Sequence, residues 1–519
     1  MSFETFQPIS PAETRLLDGL SHPERTVFAG GELPEKSDED CLIRAEFLRA
    51  VLLDPDTRVD AKGIRLRGAW VKGALDLQGA SLPFDLTFSS CHFSDDLNLV
   101  NAQLRGVHFS ACHLTDISAD NTRFSGSLYL RGDSLVEGEV ALAGARIEGD
   151  LQFCGLRIES QGQDAIFAPG LRVDGSIYLG NYPYSDTDSA LFCDGAIFLS
   201  SARVTHDVFI TRTSISRMDE ISNAVFGATE EHGAAIALSL ARAHVHGILY
   251  LSDNQISSGI VNLAGAQVAR LRDEPAGPGA SYPLRLDGFI YSDFSRHTDT
   301  SVYARLDWLA RRPEDMPFSA QPYEHLASIL STLGHRSDEK TVLMHKERLL
   351  RAENRRLMHG RGSWLKYAIS VATEPVLRFT VGYGYRPARA LFISTLLILF
   401  LGWYFGKAWD AGDMAPDAGP LLVSAGWVSA TETHADNPAA FWSAPGQAGQ
   451  DYETFHPFAY AADLMVPIIN LGQESAWAPS TSRSPWGWHG WWIRWFAKLA
   501  GWVITALAAG ALTGMIRND

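Results

Sequence analysis

The stretch Leu86–Leu114, LTFSSCHFSDDLNLVNAQLRGVHFSACHL, decides the fold of this chain. Apolar pairs split by one residue, Leu86/Phe88, Leu97/Leu99 and Val107/Phe109, recur every 10–11 residues. Alternation with a period of two is the signature of a strand with one buried face. Cys91-His92-Phe93 and Cys112-His113-Leu114 lie 21 residues apart, so two such sides complete one turn. Working outward, Leu75/Leu77 and Leu128/Leu130 extend the series, which returns as GARIEGDLQF (144–153), SARVTHDVFI (201–210), ARAHVHGILYL (241–251) and GAQVARL (265–271). A single coil cannot bury its inward residues, so coils of about 20 residues must stack on one another. Residues 211–235 and 272–283 break the period and read as insertions.

The expectation is a mixed fold. A right-handed β-solenoid over 61–300 forms the regulatory domain, and it resembles the pentapeptide-repeat type. Ala, Cys and Gly fall between the apolar pairs, at tight corners. The Cys-His pairs at 91–92 and 112–113 read as corner ladders; zinc would need four ligands in tetrahedral reach. His244 and His246 flank Val245 and should face solvent. Residues 1–60 read as a helical cap, with a helix from Asp38 to Leu53 hiding the first coil, because solenoids need an atypical end repeat. Residues 301–387 read as a helical hairpin and linker. Gln321–Leu333 stops at Gly334, a second helix opens near Ser337 or Asp338 and runs to about Met358, and Gly360–Arg386 is glycine-broken. Gly382 and Gly384 are candidate hinges. Arg348, Arg351, Arg355 and Arg356 on the second helix form either a solvated face or a contact for anionic lipid or a phosphate-bearing ligand.

The 519 residues carry a net charge of −16, which argues against a general nucleic-acid binder. From Lys340 to Arg389, however, 11 Lys/Arg stand against 3 Asp/Glu, a local excess of +8. All five Cys precede residue 200, and MSFETFQPIS lacks the apolar core of a secretory signal, so a cytosolic body with reduced thiols is expected.

Residues 388–519 read as a transmembrane pore domain. Ala388–Gly406 gives 19 residues with one charge, and Leu499–Ile516 gives 18 with none, close to the ~20 that span a bilayer. Between them, Phe455–Pro479 (FHPFAYAADLMVPIINLGQESAWAP) is too short to cross and is broken by Pro467 and Gly472, which are further candidate hinges. It carries Asp463 in an apolar run. A carboxylate at bilayer depth is costly and faces a polar cavity. The segment is either a re-entrant pore element, with a helix over Pro457–Val466 followed by extended chain, or an external amphipathic helix with Asp463 in water. Asp463, Asn470, Gln473 and Glu474 are the candidate pore residues. Trp486–Phe496, with five Trp, should lie flat in the outer interface. Arg378, Arg386 and Arg389 before the first span, Arg517 after the second and seven acids within Lys407–Phe455 place both chain ends in the cytoplasm and the acidic loop outside. Gly501, Gly510 and Gly514 with neighbouring alanines give the last span a close-packing face.

No Walker loop, GxGxxG after a strand, HExxH, GxSxG or CxxC is present, so no enzyme, cofactor or metal is expected. QPYEHLASIL with Gly334-His335, GYGYRPARA (382–390), FHPFAYAADLMVPIINLGQE (455–474) and GWVITALAAGALTGMIR (501–517) resemble bacterial membrane proteins with a repetitive β-rich body and a two-span tail, often labelled membrane-associated oxidoreductases. The layout also looks like the channel effector of the Hailong antiphage system. That resemblance implies a homotetrameric ion channel of the bacterial inner membrane. Its cytosolic crown would bind a nucleotide or single-stranded DNA oligomer, made by a partner nucleotidyltransferase, that holds the pore shut. No crown residue is carried over. The rival expectation is a membrane-anchored β-solenoid scaffold that does not conduct, because solenoids present good binding surfaces.

Overall fold

The computed structural model describes the chain except for residues 1–5, 23, 185–188, 217–234, 276, 278–280, 314–315, 361–362 and 514–519. The chain divides into two units, Met1–Val342 and Leu343–Asp519.

Unit 1 is a parallel β-solenoid with helices at both ends. Among the described residues nine strands stack in one of its sheets and twenty-four in the other, every pairing parallel. The inward ladder can be followed residue by residue: Leu66 pairs with Phe88, Phe88 with Phe109, Phe109 with Leu130, Leu130 with Phe153, Phe153 with Leu179, Leu179 with Ile210 and Ile210 with Leu251. All eight are buried, and each buried Leu or Phe stabilises the stack by about 1.5–3 kcal/mol. The Cys-His pairs are corner ladders, as expected. Cys91 and Cys112 are buried, while His92 stacks on Trp70 at 3.7 Å and meets His113 edge-on at 4.6 Å. His244 and His246 are exposed.

The coil length is not constant. Leu86 to Val107 and Val107 to Leu128 are advances of 21 residues. Later coils take 26 (Leu151 to Ile177), 31 (Ile177 to Val208) and 41 (Val208 to Leu249). The expected insertion at 211–235 falls in the longest of these, although 217–234 lie outside the described residues. The expected insertion at 272–283 lengthens nothing, because Leu271 pairs with Phe294 after an ordinary 23 residues.

Each end of the stack is closed by a helix and a charge pair. At the start, α1 (Pro11–Gly19) opens with a capping box in which Ser10 and Glu13 satisfy each other's backbone N–H. Buried Glu13 accepts a two-pronged bond from Arg44, at 2.6 and 2.8 Å. The expected Asp38–Leu53 helix is shorter: α2 covers Ala45–Leu53, and Leu42–Arg44 is a strand because it pairs with Trp70–Lys72 of the first coil. At the far end, the inward ladder places Asp273 opposite Leu251. A carboxylate in a core position needs a partner, and α3 (Val302–Ala310) supplies fully buried Arg305, whose two Nη atoms bond Asp273 at 2.7 and 2.9 Å. The guanidinium lies 4.3 Å from the Phe294 ring centre. Next come α4 (Gln321–Thr332), ended at Gly334 with φ 87°, and α5 (Arg336–Gly360), both close to expectation.

Unit 2 holds α6 (Trp364–Thr380), a helix where a broken linker was expected. Then comes α7 (Ala388–Asp410), containing the first apolar span. The acidic stretch after it folds as α8 (Gly419–Leu422), α9 (Ala425–Thr433) and α10 (Pro438–Trp442) around Trp427, Trp442 and Trp477. α11 (Pro457–Met465) and α12 (Gln473–Ala476) follow, then α13 (Pro485–Leu512). The tryptophan-rich segment expected to lie flat is instead the first half of α13, continuous with the last apolar span. Gly514 and Arg517 lie outside the described residues.

Candidate functional site

α7 has 23 residues and α13 has 28, and both are long and apolar enough to cross a membrane. At 1.5 Å per residue they reach about 35 and 42 Å, against a hydrocarbon core of about 30 Å. Glycines on both helices admit α11. A Cβ at Gly402 of α7 would overlap the Phe458 ring, and one at Gly501 of α13 would overlap the Met465 carbonyl. Trp409 stacks on Phe455 at 4.7 Å and Phe405 meets Tyr460 at 4.8 Å, so α11 descends along α7. The chain then turns and climbs back: Glu474 pairs with Lys498 and Arg494, and Trp477–Pro479 forms an antiparallel pair with Met414–Pro416. Along α13 this hairpin extends from Gly487, beside Ser480, to Gly501, beside Met465. That is about 21 Å of helix, entered and left from the same end.

Each expected pore residue has a definite place in this hairpin. Asp463 is buried, and its two oxygens accept from the backbone N–H of Leu471 and of Glu474, both at 2.8 Å. The carboxylate ties α11 to the ascending limb, because it meets two orphan donors at a tight turn. Gln473, also buried, accepts from His456 N–H and donates to Glu453 and to the Thr454 carbonyl, each at 2.9 Å, fixing the mouth of the hairpin. Asn470 is exposed at the tip and accepts from Gly472 N–H. Glu474 is half-buried between the two cations. Pro467 follows the C-cap Val466 of α11, and Gly472, at φ 76°, is the N-cap of α12. The segment Ile468–Glu474, expected to be extended, therefore turns at its start and becomes helical at Gln473.

The other expected hinges, Gly382 (φ 55°) and Gly384 (φ 90°), form a turn between α6 and α7 in which Val381, Tyr383 and Tyr385 are buried. Of the four expected basic residues on α5, two are engaged inside unit 2. Arg351 lies 5.5 Å from the centre of the Tyr383 ring, and Arg355 bonds Glu374 at 3.1 Å. Glu374 also accepts from the Tyr383 hydroxyl, whose pKa burial pushes up to about 12. Arg348 and Arg356 are exposed.

Two further features escaped the sequence reading. Asp413, one of the seven loop acids, is fully buried and caps α13 through Ser484 and the Gly487 N–H, where a negative charge suits the helix dipole. On the solenoid, two adjoining cavities of about 610 and 500 Å³ share Ala190, Phe192 and Arg212. Asp133, Arg157, Asp253 and Glu274 complete their charged lining. Among the described residues no cluster of His, Cys, Asp and Glu could hold a metal ion.

No protein-family model, curated protein or solved structure matches this chain.

Proposed function

We propose that this protein is one subunit of an oligomeric ion channel of the bacterial inner membrane, with the solenoid unit and both chain ends in the cytoplasm. The observation that carries the proposal is the hairpin 455–480. It packs against two apolar helices, returns, and sets Asp463 and Glu474 against them, Glu474 on Arg494 and Lys498 of α13. Charges at membrane depth are costly in lipid and belong beside water or one another. Two spans enclose no water path, so the conduit requires several copies around an axis. In that assembly the exposed tip, with Asn470 and the 468–471 backbone, lines the lumen, while buried Asp463 and Gln473 hold the tip in place.

The gating part of the proposal assigns the regulator to the groove at Phe192 and Arg212. Arg212 and Arg157, the latter paired with Glu159 at 2.7 Å, face Asp133, Asp253 and Glu274 there, and Phe192, half exposed, offers an aromatic face; a base stacked on Phe192 with its phosphates on the two arginines is the nucleotide or single-stranded DNA oligomer this reading assigns. A ligand gates only if it binds the closed and open states with different affinity. Control of growth arrest in antiphage defence, with a nucleotidyltransferase supplying the ligand, fits that scheme. Native mass spectrometry of detergent-purified protein tests the assembly. A closed ring, expected to be a tetramer, and an added oligonucleotide mass lost in Arg157→Ala/Arg212→Ala are the predicted results; a monomer removes the conduit.

One observation favours a non-conducting scaffold: both Asp463 oxygens are already committed to backbone donors. That reading predicts full function when 388–519 is replaced by unrelated spans. The channel reading predicts none.

A further inference from the structure

α6 turns its polar side toward the protein and its apolar side away from it. At 100° per residue, Trp364, Leu365, Ile369, Val376 and Phe379 share one side of this helix. None of its residues is buried: Trp364 is 75% exposed, Ile369 56% and Phe379 63%. The opposite side holds Glu374, bonded to Arg355 and to the Tyr383 hydroxyl, and Leu377, the helix residue that packs against the core of unit 2. A soluble unit would place these sides the other way round.

The chain itself restricts what can cover the apolar side. Only residues 381–387 separate α6 from α7, and the first five form the packed turn at Val381–Tyr385. The last turn of α6 is therefore held at the start of a helix that crosses the membrane. α6 does not cross it: 17 residues give about 25 Å, and Glu374, Pro375 and Arg378 interrupt its apolar run. Leu391, Phe392 and Leu396 at the start of α7 are exposed as well. Lys366 and Arg378 on α6, and Arg348 and Arg356 on α5, which is bonded to α6 through Arg355 and Glu374, are exposed cations.

We infer that α6 is an in-plane anchor that sinks its Trp364–Ile369–Phe379 side into the surface of an anionic bilayer, at the end where α7 begins. An amphipathic helix binds a membrane surface through buried apolar area together with attraction of its cations to acidic headgroups. Because α6 is bonded through Glu374 to the turn that leads into α7, it couples the state of the lipid surface to the first span. The inference rests on α7 crossing a membrane and is independent of conduction.

Single-cysteine labelling of the full chain tests this directly, since all five native cysteines are buried. An environment-sensitive fluorophore is placed at Ile369→Cys, Phe379→Cys, Ser370→Cys and, on the exposed side of α7, Leu396→Cys, in nanodiscs of acidic or zwitterionic lipid. At Ile369→Cys and Phe379→Cys the expected result is blue-shifted emission, quenched by nitroxide-bearing lipid and shielded from iodide, more strongly in acidic lipid. At Ser370→Cys, well round the helix from the apolar side, nitroxide-bearing lipid should not quench. Lys366→Gln/Arg378→Gln should abolish the difference between the two lipids. Free iodide quenching at 369 and 379, with Leu396→Cys still in lipid, overturns the inference and leaves the span intact. Self-quenching at 369 that is relieved by mixing with unlabelled chain assigns the surface to a second copy and also overturns it. Loss of lipid contact at Leu396→Cys removes the span and the inference together.

Discussion

The two units place apolar side chains on opposite sides of their backbones. In the solenoid the ladder from Leu66 to Leu251 faces inward and is buried, coil upon coil. In unit 2 Leu391, Phe392, Leu396, Leu399, Phe400 and Trp403 of α7, a helix long and apolar enough to cross a membrane, are exposed. Backbone chemistry explains why each architecture suits its surroundings. Solenoid strands bond to the next coil, so the stack has two open ends, and a helix with an ion pair closes each one: half-exposed Arg44 on buried Glu13 at the start, fully buried Arg305 on Asp273 at the far end. Helices satisfy their own N–H and C=O groups and so tolerate a medium without water. Where unit 2 does place irregular backbone at depth, in the turn after α11, Asp463 answers the donors at Leu471 and Glu474. Charge is buried in both units for the same reason: to satisfy the place where a regular element stops.

That comparison can be broken at several points. The largest effect is expected at the solenoid end. Arg305→Ala leaves Asp273 buried and unpaired and should destabilise unit 1 by about 3–5 kcal/mol, read as a loss of melting temperature, while Arg305→Met/Asp273→Leu recovers most of it. Asp463→Ala removes two charge-assisted bonds and should cost unit 2 about 2–3 kcal/mol, with new protease cleavage within 468–471; unchanged protection would mean that the hairpin is held by packing alone. Glu139 gives a smaller, pH-dependent effect. Burial, with Asp164, Asp116 and Asp120 nearby, raises its carboxyl from 4.5 to about 7. The folded chain therefore binds this proton more tightly than the unfolded one. Its contribution to stability is complete below pH 4.5 and lost as pH climbs through 7, so the melting temperature of unit 1 should fall between pH 5 and 8. Glu139→Gln should remove that fall, worth about 1–2 kcal/mol after allowance for partial solvent exposure. The smallest effect is expected on the outside of α7. In detergent Leu396→Ala should change stability by less than about 0.5 kcal/mol, whereas Phe109→Ala in the ladder should cost about 3–5 kcal/mol.

The solenoid was legible because its repeats are local: Leu86/Phe88 and Val107/Phe109 announce their own coil whatever the rest of the chain does. The two apolar runs were legible for the same reason. Coil lengthening before Val208 was not, because loops on a corner leave the inward alternation untouched. α6 was hidden by Gly360, Gly362 and Pro375, which signal a break in sequence; Pro375 lies within the helix. The partners of Asp463 were illegible because they are backbone groups eight and eleven residues away, brought back by a turn that no side-chain pattern records. Asp413 looked like one of seven loop acids until α13 supplied the amide donors it caps. The break in Phe455–Pro479 at Pro467 and Gly472 was legible from those two residues, whereas the course of its second limb and the role of its carboxylate came only from geometry.

Conductance of the purified full-length protein in planar bilayers tests the central claim most directly. The account predicts discrete current steps, with ion selectivity changed by Asn470→Asp at the hairpin tip and current lost in Asp463→Ala. Absence of current under every lipid, voltage and ligand condition, from protein that retains its assembly and its hairpin protection, would contradict it.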